Sequence, residues 1–130
     1  MKQVEIIIKG RPHSKKNSRE ARKARNKKTG KVYSYTVPGQ AYENFKDEAM
    51  WGLKKIKDRF PGDIRIDYVF YRKGKERQDV DNAICSINDV LQDAEIISDD
   101  ANIRRGSFDI IPGGKEWYTV VRITDEEIHV

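Results

Sequence analysis

The sequence predicts one α+β domain spanning residues 1–130, and three observations predict it. Apolar residues alternate at Val4, Ile6 and Ile8 and again at Ile64, Ile66, Tyr68 and Phe70, the period of strands with one buried face. They recur at helical spacing at Tyr42, Phe45, Ala49, Leu53 and Ile56, and at Val80, Ile84, Ile87 and Leu91. Both kinds of element occur in a chain short enough to share one core, a small mixed sheet with two main helices.

In chain order, a first strand covers residues 4–8. Residues 10–31 are rich in Lys, Arg, Ser and Asn and hold Gly10, Pro12 and Gly30, so they read as a long, basic, mobile loop. Thr29-Gly30 turns into a short extended piece at 32–37. The first helix carries its apolar residues from 42 to 56, runs for about five turns and stops before Pro61-Gly62. A strand at 64–70 and a basic link at 72–77 lead to a second helix at 80–94. Two last strands, 103–111 and 117–123, read as a pair joined through Pro112-Gly113-Gly114.

Charge is divided along the chain. Residues 1–31 hold twelve Lys/Arg and two acids, whereas residues 32–130 hold fourteen Lys/Arg and nineteen acids. A basic arm beside an acidic region suggests a polyanion gripped by one part and worked on by the other. Nucleic acid is the leading candidate, since cations that neutralise its phosphates release condensed counterions. The plain alternative is a solvated arm that aids solubility.

Other classes fall away. No apolar run approaches a bilayer span, which predicts no membrane partner, and the basic start lacks the apolar stretch of a secretory signal. The single cysteine, Cys85, has no internal partner and fits a reducing cytoplasm. His13 and His129 are the only histidines, which argues against zinc. There is no glycine-rich phosphate loop, no nucleophile elbow and no internal repeat.

The acidic region is unusually pure. Between Asp79 and Asp100 lie seven acidic residues and no lysine or arginine. Crowded carboxylates repel one another unless a cation sits among them. Mg²⁺ suits that role, because it takes oxygen ligands and commonly uses one or two carboxylates plus substrate phosphate. Asp79 and Asp81 fall at the entrance of the second helix, turned from its apolar stripe. One of them can serve as the N-cap, but only one, which leaves the other able to share a cation. Asp99-Asp100 reads either as a turn cap before a strand or, if the 95–98 link doubles the chain back, as a group returned to Asp79 and Asp81. Asp89 and Asp93 read as solvated face.

The run R-Q-D-V-D-N-A-I-C-S-I-N-D-V-L-Q-D-A-E-I-I-S-D-D-A-N-I, residues 77–103, resembles the signature of the RusA family of Holliday junction resolvases. Upstream, Gly10-Arg11-Pro12-His13-Ser14-Lys15-Lys16-Asn17 resembles the family's N-terminal pattern more weakly. The resemblance implies that Asp79, Asp81 and Asp100 are the essential metal-binding aspartates. It also implies a homodimer, dependence on Mg²⁺ or Mn²⁺, and a phage or prophage origin. One departure stands out: family members commonly carry a lysine four residues after the second aspartate, where this chain has Cys85. A lysine there would stabilise charge on the phosphate. Its absence moves that job to Lys73, Lys75 or Arg77, or marks a chain that binds without cutting. Cys85 itself reads as a small space-filling residue, since nearby acids disfavour a thiolate.

The expected activity is metal-dependent endodeoxyribonuclease cleavage of a four-way DNA junction, by paired phosphodiester hydrolysis from a two-fold dimer. Asp79, Asp81 and Asp100 would hold the ion, with Asp99 in outer support. Lys73, Lys75 and Arg77 would contact the strand entering the site, and Lys15, Lys16, Arg19 and Arg22 the junction backbone outside it. Tyr33 and Tyr35 are candidates for stacking on unpaired bases. Three alternatives remain open: a related nuclease of different branched or single-stranded specificity, a non-catalytic DNA-binding protein of the same fold, and an interaction module with an acidic docking face.

Overall fold

The structure is a computed structural model that describes residues 2–14 and 19–126, giving only the backbone of Arg19, Glu20 and residues 36–38. Strands β1 (Gln3–Lys9), β2 (Arg19–Arg25) and β3 (Val32–Pro38) precede helix α1 (Gln40–Leu53). Strand β4 (Ile64–Lys73), helix α2 (Val80–Asp93), strand β5 (Ile103–Gly114) and strand β6 (Tyr118–Asp125) follow, and a single 3₁₀ turn at Asp100–Asn102 leads into β5. The main sheet has the order β1-β6-β4-β5, while β2 and β3 form a separate two-stranded ribbon. This is a small α+β domain with a mixed sheet, as the apolar periods predict.

One face of the main sheet carries the core. Ile6 and Ile8 of β1, Ile64, Ile66, Tyr68 and Phe70 of β4, and Val121 and Ile123 of β6 are buried with Tyr42, Phe45, Ala49 and Leu53 of α1. From α2 come Ala83, Ile87, Val90 and Leu91. The alternation in β4 is complete, with buried residues at every second position. Helix α1 is shorter than its apolar spacing suggests, and Ile56 packs on the core from beyond its end.

Two differences from the sequence reading affect the site. First, the predicted loop at 10–31 contains a strand. Arg22 pairs with Tyr35 and Ala24 with Tyr33, and the ribbon turns through Asn26, whose Oδ1 accepts from the Lys28 amide at 2.9 Å. Cross-strand backbone pairing thus orders a stretch whose composition reads as disordered. Second, β5 and β6 do not pair with each other. Strand β5 runs parallel to β4 and β6 runs antiparallel along the other side of β4. A strand reached through a covering helix returns parallel to the one it left. The Pro112-Gly113-Gly114 segment serves a different contact. Gly113 donates to the Gly74 carbonyl at 2.9 Å, and Gly74 donates to Gly114 at 3.0 Å, so the chain crosses the end of β4 before joining its far side.

Candidate nuclease site

Helix α2 opens at the acidic motif. Asp79 is its N-cap residue but makes no side-chain capping bond, so its carboxylate is not committed to the helix end. Asp81 lies in the first turn, and both aspartates are exposed. Beneath them, Arg72 is 9% exposed and its Nη2 donates to the Gln78 carbonyl at 2.5 Å. A buried guanidinium thus holds the chain as it enters the motif.

The segment after β1 is fastened to the same place. Arg11 Nη2 donates to the Arg77 carbonyl at 2.7 Å, its Nη1 meets Glu76 at 3.0 Å, and its guanidinium lies 4.7 Å from the Trp117 ring centroid. Gln78 donates its side-chain amide to the Pro12 carbonyl. Ser86 Oγ donates to the His13 carbonyl at 2.9 Å, and Ser14 Oγ meets Asn82 Oδ1 at 3.3 Å. Burial and the Arg11 charge both lower the pKa of His13. Residues 10–14 therefore run along the first turns of α2, and the basic arm departs from beside the D-V-D-N motif.

At the other end of α2 the chain reverses. Glu95 takes φ 60°, and the Ile96 amide reaches back to the Leu91 carbonyl at 3.0 Å. Ile96 and Ile97 are buried, and Asp99 caps the 3₁₀ turn by accepting from the Ala101 amide at 2.9 Å. Asp100 then lines a groove of about 350 Å³ with Ile66, Tyr68, Ile84, Asn88, Gly106 and Phe108. Ile84 and Asn88 stand one and two turns beyond Asp81 on one helix face. Under the groove, the Tyr68 hydroxyl donates to Asn88 Oδ1 at 2.6 Å, and burial, with lesser help from nearby charges, raises the pKa of this phenol.

The side chain of neighbouring Asp99 is the first cause that raises the pKa of Asp100, followed by desolvation and the charge of Asp99. Asp99 is lowered, first by the Ala101 amide. Among the described residues, no group of three or more His, Cys, Asp and Glu side chains is gathered closely enough to hold a metal ion. The fit to Mg²⁺ is one of donor chemistry, not of a gathered site. The available donors are hard carboxylate oxygens, and Mg²⁺ commonly keeps several waters and takes only one or two carboxylates.

The sequence matches the family profile described as Endodeoxyribonuclease RusA over residues 9–124. The chain belongs to the RusA endodeoxyribonuclease family. No curated protein gives a match. The RusA match takes in the end of β1, the ribbon, both helices, β4, β5 and nearly all of β6. No helix among the described residues is long and apolar enough to cross a membrane.

Within this RusA domain the other site residues distribute as follows. Lys73, the last residue of β4, and Lys75 and Arg77 on the turn that follows it are exposed shortly before Asp79. Arg22 is exposed on the ribbon; Lys15 and Lys16 lie outside the described residues, and Arg19 is described by its backbone alone. Cys85 is exposed on α2 one turn beyond Asp81, not packed in the core as its size suggests. Asp93 is not a solvated residue either. It accepts from the Tyr42 hydroxyl at 2.7 Å and meets Lys46 at 3.4 Å, tying α1 to α2. Burial first, then the bond to Asp93, raises the pKa of the Tyr42 phenol.

Sequence reasoning missed Arg11, Arg72 and Gln78 as the fastenings of the motif. Their signal was faint: an arginine before a proline, and polar residues on either side of a basic link.

Proposed function

We propose that this RusA-family protein is a Mg²⁺-dependent endodeoxyribonuclease that resolves four-way DNA junctions as a homodimer. One observation carries the reading. In a chain of this family, the D-V-D-N motif opens α2 and the root of a basic arm is fastened along its first turns, while Asp100 lines a groove against Ile84 and Asn88 of the same helix.

Asp79, Asp81 and Asp100 would hold the ion, with Asp99 fixing the turn that carries Asp100. When bound, the ion lowers the pKa of water and neutralises charge on the phosphate. Lys73, Lys75 and Arg77 would steady the scissile strand next to the aspartates, taking over the charge that family members supply from the Cys85 position. The ribbon would hold duplex backbone. Its Arg22, Lys23, Arg25, Lys27, Lys28 and Lys31 are exposed or half-exposed, and phosphate contacts fix position without reading sequence. Tyr33 and Tyr35 are 52% and 42% exposed, with ring centroids 6.0 Å apart, and offer faces for stacking on unpaired bases at the junction centre. A four-way junction has approximate two-fold symmetry, so a two-fold dimer offers one site to each of two opposed strands.

Cys85 in place of a lysine favours a second reading, a junction-binding protein that has lost its chemistry. Cleavage of a synthetic four-way junction during Mg²⁺ titration separates the two. Paired, symmetric nicks that appear only with Mg²⁺ or Mn²⁺ support the nuclease. Tight junction binding with no nicks at any metal level supports the binder.

A further inference from the structure

Strand β1 is an edge of the main sheet, and among the described residues no strand pairs with its outer side. The Gly10 amide donates to the Trp117 carbonyl at 2.9 Å, and the Asp125 amide donates to the Lys2 carbonyl at 3.0 Å. Opposed residues of an antiparallel pair alternate between bonded and non-bonded, so the even positions of β1 turn their backbone groups toward β6. The odd positions, Gln3, Glu5, Ile7 and Lys9, turn their N–H and C=O groups outward. A row of this kind is a template for another strand.

Side chains make a seat for such a strand. A groove of about 470 Å³ runs between Ile7, Ile8 and Lys9 of β1 and Ala49, Trp51 and Gly52 of α1. Its floor belongs to the core, since Ile8 and Ala49 are 1% and 4% exposed. Its two lips stand clear: Ile7 is 62% exposed and Trp51 76%. Single apolar residues at a surface are ordinary, but two that flank one groove beside an unpaired strand mark an interaction surface. No neighbouring group lies within 4 Å of the place where a Cβ on Gly52 would stand, so the groove is open there. The charge around it is positive. Lys9 and Lys55 line it, and Lys54 Nζ lies 5.7 Å from the Trp51 ring centroid. No ion pair among the described residues takes up any of these three lysines. Of the described residues that line the groove, Glu48 is the one acid.

We propose that the β1 edge and this groove receive an extended segment of a partner protein, which adds a strand to the sheet and carries acidic residues beside a β-branched apolar run. Its backbone meets the outward groups of Glu5, Ile7 and Lys9, and its apolar residues enter the groove over Ile8 and Ala49, against Trp51 and in the room left by Gly52. Its carboxylates reach Lys9 on the strand and Lys54 and Lys55 on the helix side. A nucleic acid suits this edge poorly, because phosphates accept hydrogen bonds and donate none, whereas the outward carbonyls of β1 need donors. A second copy of this chain would bring its own Lys54 and Lys55 to the same groove, like charge against like. None of these residues is among those assigned above to the ion or to DNA, so the docking surface is independent of the nuclease reading.

A synthetic peptide, acetyl-Asp-Glu-Ile-Val-Ile-Glu-Asp-amide, tests the seat, since it carries the same pattern in either chain direction. Fluorescence anisotropy of the labelled peptide with the full chain is expected to show saturable binding at micromolar concentration. Proline in place of its central valine removes an N–H and should abolish that binding. Trp51→Ala and Gly52→Leu, which empty and fill the groove at exposed positions of α1, should each raise the dissociation constant about tenfold or more. Lys9→Glu/Lys55→Glu should do the same, and should gain affinity for a peptide with lysines in place of its acids, an outcome that misfolding could not give. No binding of the acidic peptide at millimolar concentration would overturn the proposal, as would equal binding of the acidic and lysine peptides. Displacement of the peptide by oligo(dT) would overturn it in favour of a nucleic-acid contact. A wild-type dimer that Gly52→Leu dissociates in sedimentation velocity would overturn it in favour of a second copy. Junction cleavage by the same preparations is scored separately and should be equal in wild type and variants: a chain that binds the peptide but never cuts leaves the docking surface standing and removes the nuclease reading.

Discussion

The Tyr68 to Asn88 hydrogen bond can be tested as a unit. Tyr68 is 5% exposed and Asn88 7%, and the bond at 2.6 Å joins the central strand β4 to the middle of α2, directly under the groove. Tyr68→Phe keeps the ring and removes the donor, leaving the amide oxygen of Asn88 buried and unpaired. An orphaned buried acceptor costs about 1–3 kcal/mol, and Tyr68→Phe should fall in the middle of that range. Asn88→Ala orphans the hydroxyl instead and also loses packing, so it should cost somewhat more. Once either partner is gone the other matters less, so the double variant should be less destabilised than the sum of the singles by about 1–2 kcal/mol. Urea unfolding followed by fluorescence gives the three differences, with m-values unchanged as the check that the unfolded state is the same. Two small, additive losses of under about 0.5 kcal/mol would mean that the bond is solvated or absent, and that α2 is not fixed to β4 at this point.

Three further outcomes are expected. Gly106→Ala should destabilise by about 2–3 kcal/mol, the upper range for overpacking, because a Cβ there would lie 1.9 Å from the Ile66 carbonyl oxygen; thermal unfolding at or above the wild-type midpoint would contradict the β4–β5 register. Glu95→Gly should stabilise by about 0.5–1 kcal/mol, since a left-handed non-glycine residue costs about 1–2 kcal/mol and glycine's added chain entropy returns part of that; a loss in urea unfolding would refute the positive φ of Glu95. Replacing Arg22, Lys23 and Arg25 together by alanine should weaken junction binding and lower the slope of log K against log salt by about 0.9 for every phosphate that is no longer neutralised; an unchanged slope would exclude the ribbon from the DNA interface.

The strands and helices of the main layer were legible because their apolar residues keep strict periods: Ile64 to Phe70 at every second position, Ala83 to Leu91 on one helix face. The ribbon was not, because β2 has almost no apolar residues and is ordered by backbone pairing with β3, a long-range effect that composition conceals. The Pro112-Gly113-Gly114 hairpin failed for a related reason. A turn signal marks where a chain bends but not which neighbour it bends towards, and β4 already offered both of its edges. At the site, the chain reversal after α2 was legible from the short 95–98 link, but the three aspartates it was expected to bring together are not gathered into one group among the described residues. Spacing could not tell that Asp99 caps the turn while Asp100 lines the groove, since the two are adjacent in sequence and differ only in the direction of the backbone. Nor could it tell that Asp93 serves the α1–α2 contact, because that role depends on where the Tyr42 hydroxyl arrives from fifty-one residues away.

The most direct measurement is Mg²⁺-dependent cleavage of a four-way junction by Asp81→Asn beside wild type, with junction affinity measured on both. Asparagine keeps the size and place of the side chain at the α2 entrance and removes its charge. The account predicts at least a thousandfold loss of cleavage at saturating Mg²⁺, with junction binding equal to wild type or tighter as a like charge leaves the phosphate's path. A variant that cuts as fast as wild type would contradict it.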